Sequence, residues 1–376
     1  MKLKYTPVAV ALACLSVAPS FANEPNIQAR VLNGEEASKL SSDLLLPWQA
    51  AFLTEPQLND GTYITSGCGA VVISDFWAVT AAHCIESFMS NTLIAGTNII
   101  KNKVGTADSI DGKYKFEITD KIVHSGYDSS LALDHDIALL KVNRSMLEVA
   151  QPIKIATQQE QEAANNQFAN TWNPIGYSKA NLIASGWGYT EPKFDQPDEL
   201  MVVKLGGIPM TDCDADYPLS EESHFVCADS NTPEIKKDVC RGDSGGPLVW
   251  QISDKSGDSD FGLRVIGVTS NGPYCHLKEN GDAAAQKNGL YTELAHYYAW
   301  IEAKTNLDLA SQVTPTFSVD PFVKVSDPEN KTGTSPSGSG GGGSLPLSGL
   351  IGLAALALAR RKAYTNLHKY LISLAG

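Results

Sequence analysis

Asp238-Val239-Cys240-Arg241-Gly242-Asp243-Ser244-Gly245-Gly246-Pro247 is the stretch from which the rest of the chain is read. It sets a hydroxyl between glycines, which keep the backbone tight and its N–H groups free. A nucleophile with an adjoining oxyanion hole needs that arrangement, because developing negative charge has to meet preorganised donors. Taken alone, Gly-Asp-Ser-Gly also describes a polar turn, since Gly, Asp and Ser are the commonest turn residues. A base, an orienting acid and an activation site elsewhere in the chain decide between the two readings.

Thr80-Ala81-Ala82-His83-Cys84 places a histidine just after an apolar strand, beside a cysteine able to lock it. Asp134-His135-Asp136-Ile137-Ala138-Leu139-Leu140 puts an acid at the mouth of a strand that otherwise buries itself. Singly, such a histidine is commonly a core or surface residue, and such an aspartate a turn residue. Jointly, His83, Asp136 and Ser244 follow one of the chain orders that build a Ser-His-Asp triad. His135, next to Asp136 on a strand, is expected to point to the opposite face, away from the chemistry.

The chain has 376 residues, enough for two modest domains or one large one with tails. A net charge of −13 argues against nucleic acid, whose binders carry basic faces. Lys2 and Lys4, the apolar run Val8 to Ala18 and the small-x-Ala site Ser20-Phe21-Ala22 read as a removable secretory signal over residues 1–22. Cys14 leaves with it. The remaining Cys68, Cys84, Cys213, Cys227, Cys240 and Cys275 form an even set in an exported chain, which implies disulfides; six cysteines allow fifteen pairings. No Cys-x-x-Cys or His-x-x-x-His spacing points to zinc, and Asp108 and Asp111 lack the carboxylate spacing of a calcium loop. No metal or cofactor is expected.

Short strand-like runs broken by turn residues occupy the body: 69–73, 76–80, 115–123, 137–142, then 182–187, 200–205, 247–252, 264–269 and 289–293. Many short strands indicate antiparallel barrels or sandwiches, an all-β class. Little in this body reads as helix except Leu294 to Thr305. Residues 306–334 are too few for a domain, and 335–344 form a flexible Gly/Ser linker. Leu345 to Ala359 is apolar and is followed by Arg360-Arg361-Lys362; as a helix it reaches roughly 22 Å, short of a ~30 Å hydrocarbon core. That reads as a weak anchor with its C-terminus held inside, before a tail over 363–376.

The ordered motifs Thr80-Ala81-Ala82-His83-Cys84, Asp136-Ile137-Ala138-Leu139-Leu140, Ser185-Gly186-Trp187-Gly188 and Gly242-Asp243-Ser244-Gly245-Gly246-Pro247 resemble those of trypsin-like serine proteases of the chymotrypsin family, over residues 31–305. The resemblance implies two antiparallel β-barrels with the triad in the cleft between them. It implies attack by Ser244, proton transfer by His83, orientation by Asp136 and an oxyanion hole of the Gly242 and Ser244 N–H groups. Arg30-Val31-Leu32-Asn33-Gly34 resembles the activation junction. Cleavage after Arg30 by an activating protease would remove a propeptide over 23–30 and free a Val31 ammonium for Asp243. Asp238 matches the floor of a primary pocket selecting Lys or Arg; Gly272 and Gly289 match its open walls, and Ser270 the serine supporting the triad acid. Asn271 departs from the usual aromatic. The resemblance also implies the pairs Cys68–Cys84, Cys213–Cys227 and Cys240–Cys275.

The tail from Gly340 to Lys362 resembles the GlyGly-CTERM sorting signal of Gram-negative bacteria. That implies export to the surface or medium by type II secretion machinery, a transient inner-membrane tether and processing by an intramembrane protease. The expected activity is a secreted, zymogen-activated endopeptidase acting on proteins or peptides. The reading weighed against it is an inactive, protease-like binding protein at the cell surface. Such proteins usually lack a triad member; none is missing here.

Overall fold

Strands buried on both sides explain why the body reads as short, nearly continuous apolar runs. The computed structural model describes residues 31, 33–54, 66–87, 90–100, 110–129, 134–189, 197–214, 224–233, 235–272 and 288–327. A short β1 (Glu35–Glu36) and helix α1 (Ala37–Leu40) precede a first barrel of β2 (Gln49–Thr54), β3 (Ser66–Val72), β4 (Trp77–Thr80), β5 (Thr92–Ala95), β6 (Lys115–Val123) and β7 (Ala138–Val142), with α2 (Ala82–Ser87) after β4. It closes in the order β2-β3-β4-β7-β6-β5, antiparallel throughout. After α3 (Gln158–Thr171), the second barrel takes β8 (Leu182–Gly186), β9 (Met201–Ile208), β10 (Phe225–Asp229), β11 (Pro247–Gln251), β12 (Leu263–Asn271) and β13 (Gly289–Glu293). Its order is β9-β10-β13-β12-β11-β8, closed by the β8–β9 pairing, with β1 added on β9.

Alternation along each strand sorts side chains between two cores. Phe52, Val72 and Leu140 fill the first barrel, while their neighbours Ala51, Val71 and Leu139 turn outward into a shared apolar layer. Leu182, Ala184, Leu248 and Trp250 fill the second barrel, and Ile183 and Val249 join that same layer. The Gly69 N–H donates to the Ser244 carbonyl at 2.7 Å, so a strand of the first barrel holds the backbone of the candidate nucleophile.

Among the elements that differ from the sequence reading are two helices. The body carries a 14-residue helix, α3, whose Thr157 and Glu160 form a reciprocal capping box. Its buried Gln161, Ala164 and Phe168 make a narrow stripe, too sparse to register as apolar periodicity. The terminal helix, α4 (Tyr298–Thr305), begins four residues later than expected, because Leu294 to Tyr297 form turns. It stops at Asn306 in the left-handed region, φ 57°.

The chain after α4 packs on the body rather than leaving it. Leu309, Phe317 and Val325 are buried in the shared layer, and Phe317 meets Trp48 edge-on at 4.8 Å. Between Phe317 and Val325 a short α5 (Pro321–Lys324) is fixed by Lys204 Nζ donating to the Phe322 carbonyl at 2.7 Å, and Tyr177 Oη donates to Asp327 at 2.7 Å. Among the described residues no helix is long and apolar enough to cross a membrane. The signal segment, Arg30, Cys275, the Gly/Ser linker and the apolar tail helix all lie outside the described residues.

Candidate active site

The surroundings of Asp136 are assembled from both barrels. Asp136 precedes β7 and is fully buried. Its Oδ1 accepts the His83 backbone N–H at 2.9 Å, and its Oδ2 meets His83 Nδ1 at 2.8 Å. Ser270, on β12 of the second barrel, donates to Oδ2 at 2.6 Å. Thr292 on β13 donates to the Asp136 carbonyl at 2.9 Å; this residue was missed, although it lies inside the strand-like run 289–293. The imidazole is thereby oriented from behind. Among the described residues Ser244 Oγ has no hydrogen bond to His83, a looseness common before substrate binds.

Around Ser244 the backbone separates donors that are used from donors that are open. Asp243, Gly245 and Gly246 donate their N–H groups to Cys240, Thr269 and Asp243 carbonyls at 2.7–2.9 Å. The Gly242 and Ser244 N–H groups have no partner among the described residues, as an oxyanion site requires. Gly242 sits at φ 97°, a backbone state that a side chain would resist.

Asp243 is fully buried and faces into the fold. Its carboxylate accepts from the Gly188 N–H and the Cys240 N–H, both at 2.7 Å, and no cation pairs with it among the described residues. Burial pushes its carboxyl up to about 6, against the pull of those two donors. Val31 is also fully buried, in the same apolar cluster as Val239, and turns with φ 31°. Asn33 donates to the Lys236 carbonyl at 2.5 Å, so the chain around Asn33 lies on the loop that leads to Asp238.

Asp238 is buried and accepts the Val239 N–H at 2.8 Å. A methyl group on Gly289 would lie 3.2 Å from its Oδ1, and one on Gly272 3.6 Å from Gly289, so both glycines keep this space open. Burial, then the Asp229 carboxylate, push the Asp238 carboxyl well above the usual range. Tyr291 Oη, buried nearby, has no hydrogen-bond partner among the described residues. Asp229, at the end of β10 and held by Asn288 at 2.9 Å, was not foreseen as a second acid near this floor. The Lys236 charge and the Val239 N–H act the other way on Asp238, without offsetting its burial.

Cys68–Cys84 and Cys213–Cys227 form disulfides as expected, and Cys240 is also disulfide-bonded. Cys68, His83 and Cys84 cluster, but their bridge removes the thiolates a metal would need. His135 does not alternate along a strand as expected. It sits in a left-handed turn at φ 54°, with Nδ1 2.9 Å from Tyr297 Oη.

Comparison with known proteins agrees with this geometry. The Trypsin family model matches residues 31–301. Ovochymase from Halocynthia roretzi is 30% identical over 359 residues, a match covering 91% of this chain and 20% of the relative. The chain thus spans about a fifth of that relative's length. The two six-stranded barrels, the buried acid behind His83 and the matched region together place the chain in the trypsin family of serine proteases.

Proposed function

We propose that this chain is a serine endopeptidase that cuts after Lys or Arg through an acyl-enzyme on Ser244. The observation that carries it is His83 held by the buried Asp136, supported by two open N–H donors at Gly242 and Ser244 and a buried carboxylate at Asp238. Ser244 Oγ attacks the scissile carbonyl while His83 takes its proton and returns it to the leaving amine. Asp136 stabilises the imidazolium, and the N–H pair receives the oxyanion. The ammonium or guanidinium of the substrate offsets the desolvation of Asp238.

The same reading makes the chain a zymogen. Cleavage after Arg30 frees a Val31 ammonium, and the unpaired Asp243 is the carboxylate that would receive it. Secretion, a transient membrane tether and processing of the tail belong to this proposal, on the strength of the leader and tail sequences. The test uses protein cut after Arg30, assayed on Lys, Arg, Phe and Leu amides. Ser244→Ala is expected to lower kcat by on the order of 10⁴-fold or more. Asp238→Ser is expected to lower kcat/KM on Lys and Arg substrates by about 10²–10³-fold. Hydrolysis that survives Ser244→Ala sinks the catalytic assignment, absence of hydrolysis by the wild type favours a binding protein, and a wild-type preference for Phe or Leu sinks the role of Asp238.

A further inference from the structure

Four of the seven histidines in this chain gather at one place on the seam between the barrels. His124 follows β6 and His135 precedes β7 in the first barrel, while His224 precedes β10 and His296 follows β13 in the second. Their rings form a row, with centroids 4.6 Å apart for His124 and His135, 5.2 Å for His135 and His224, and 3.7 Å for His224 and His296. Tyr297 is buried against the row and meets each ring edge-on. Aromatic packing alone does not ask for imidazoles, and it does not place a carboxylate among them. Asp134, His135 and His224 bring one donor atom each to within 4.8 Å of one another, all three half-buried and reachable from solvent.

We propose that Asp134, His135 and His224 bind a divalent transition-metal ion of the zinc class, with His296 stacked on His224 beside them. Two imidazoles and one carboxylate suit zinc, cobalt, nickel or copper, whereas calcium and magnesium prefer an all-oxygen shell. Tetrahedral bonds of ~2.0–2.1 Å put donors about 3.4 Å apart, so modest side-chain rotations close the remaining distance. The Tyr297 contact at Nδ1 orients the His135 ring, as outer partners do in metal sites. His135 also occupies a left-handed backbone state, an uncommon one for a residue with a side chain, and holding the ring in this row gives that strain a use. The ion would fasten the loop bearing Asp136 to the second barrel. Spacing rules along the sequence miss the site because its donors come from separate loops.

The test uses the tag-free full chain and metal salts alone. Titration with Co²⁺ followed by visible absorption, and with Zn²⁺ by calorimetry, is expected to show one equivalent bound and a melting temperature raised by several degrees. His224→Ala and the near-isosteric Asp134→Asn are each expected to weaken Zn²⁺ binding by at least about ten-fold. His83→Ala is expected to leave it intact. The site is overturned by absence of binding at roughly 100 μM Zn²⁺, or by loss of binding in His83→Ala, which would put the ion at the triad. It is equally overturned if Asp134→Asn and His224→Ala fold, as judged by melting in chelator, and bind Zn²⁺ like the parent.

Discussion

A methyl group on Gly186 would land 2.1 Å from an Asp243 carboxylate oxygen, and one on Gly188 would land 2.6 Å away. The Ser185-Gly186-Trp187-Gly188 motif is therefore the negative imprint of a buried carboxylate 55 residues downstream, since the Gly188 N–H also donates to it. Gly186→Ala is expected to cost about 1–3 kcal/mol by overpacking and to displace Asp243. Thermal unfolding together with active-site titration of the Arg30-cut protein should show both losses. Residues at this scale were legible when their neighbours in sequence carried the signal: His83, Asp136 and Ser244 each sit in a short, chemically unusual string. Thr292 and Asp229 were not, because a lone threonine or aspartate at a strand end acquires meaning only from what folds against it. The histidine row is the extreme case, with its members spread from position 124 to 296.

Among elements, strands were easier to read than helices. Barrel strands buried on both faces leave continuous apolar runs, which survive without knowledge of their partners. Helix α3 hides its identity in a polar surface, and only its first turn announces it. Thr157→Ala removes the side chain that accepts the Glu160 N–H and breaks the reciprocal box. The expected cost is about 1 kcal/mol, measured by urea unfolding, with little change in catalysis because α3 touches no triad residue. The segment after Asn306 is too short for a domain of its own, and three well-spaced apolar side chains suffice to bind it to the layer between the barrels. Composition reports how a segment behaves alone, and this one is not alone.

For the molecule as a whole, the state of Asp243 sets how stability depends on pH. In the folded, uncut chain its carboxyl titrates at about 6, while in the unfolded chain it returns towards 3.8. Between these values the folded form holds a proton that the unfolded form lacks. The group's contribution is thus full below about pH 4 and is lost as pH rises through about 6, a span worth about 3 kcal/mol. Burial raises Asp238, and also Glu293 to about 7, so they slope the same way; the difference between the parent and Asp243→Asn isolates Asp243. Urea unfolding of the uncut chain from about pH 4 to pH 7 should show a flatter profile for Asp243→Asn. After cleavage at Arg30 a neighbouring ammonium would draw the carboxyl down, and the slope from this group should reverse. The fold at this scale was legible from its motifs, but which carboxylates lie too deep to ionise freely was not, because depth is a property of the closed barrels. The Cys68–Cys84 bridge gives a last consequence. Cys84 adjoins the base His83, and Cys68 adjoins Gly69, whose N–H grips the carbonyl of Ser244. One covalent link therefore works as a gauge block, setting the reach from His83 to Ser244 across the two barrels.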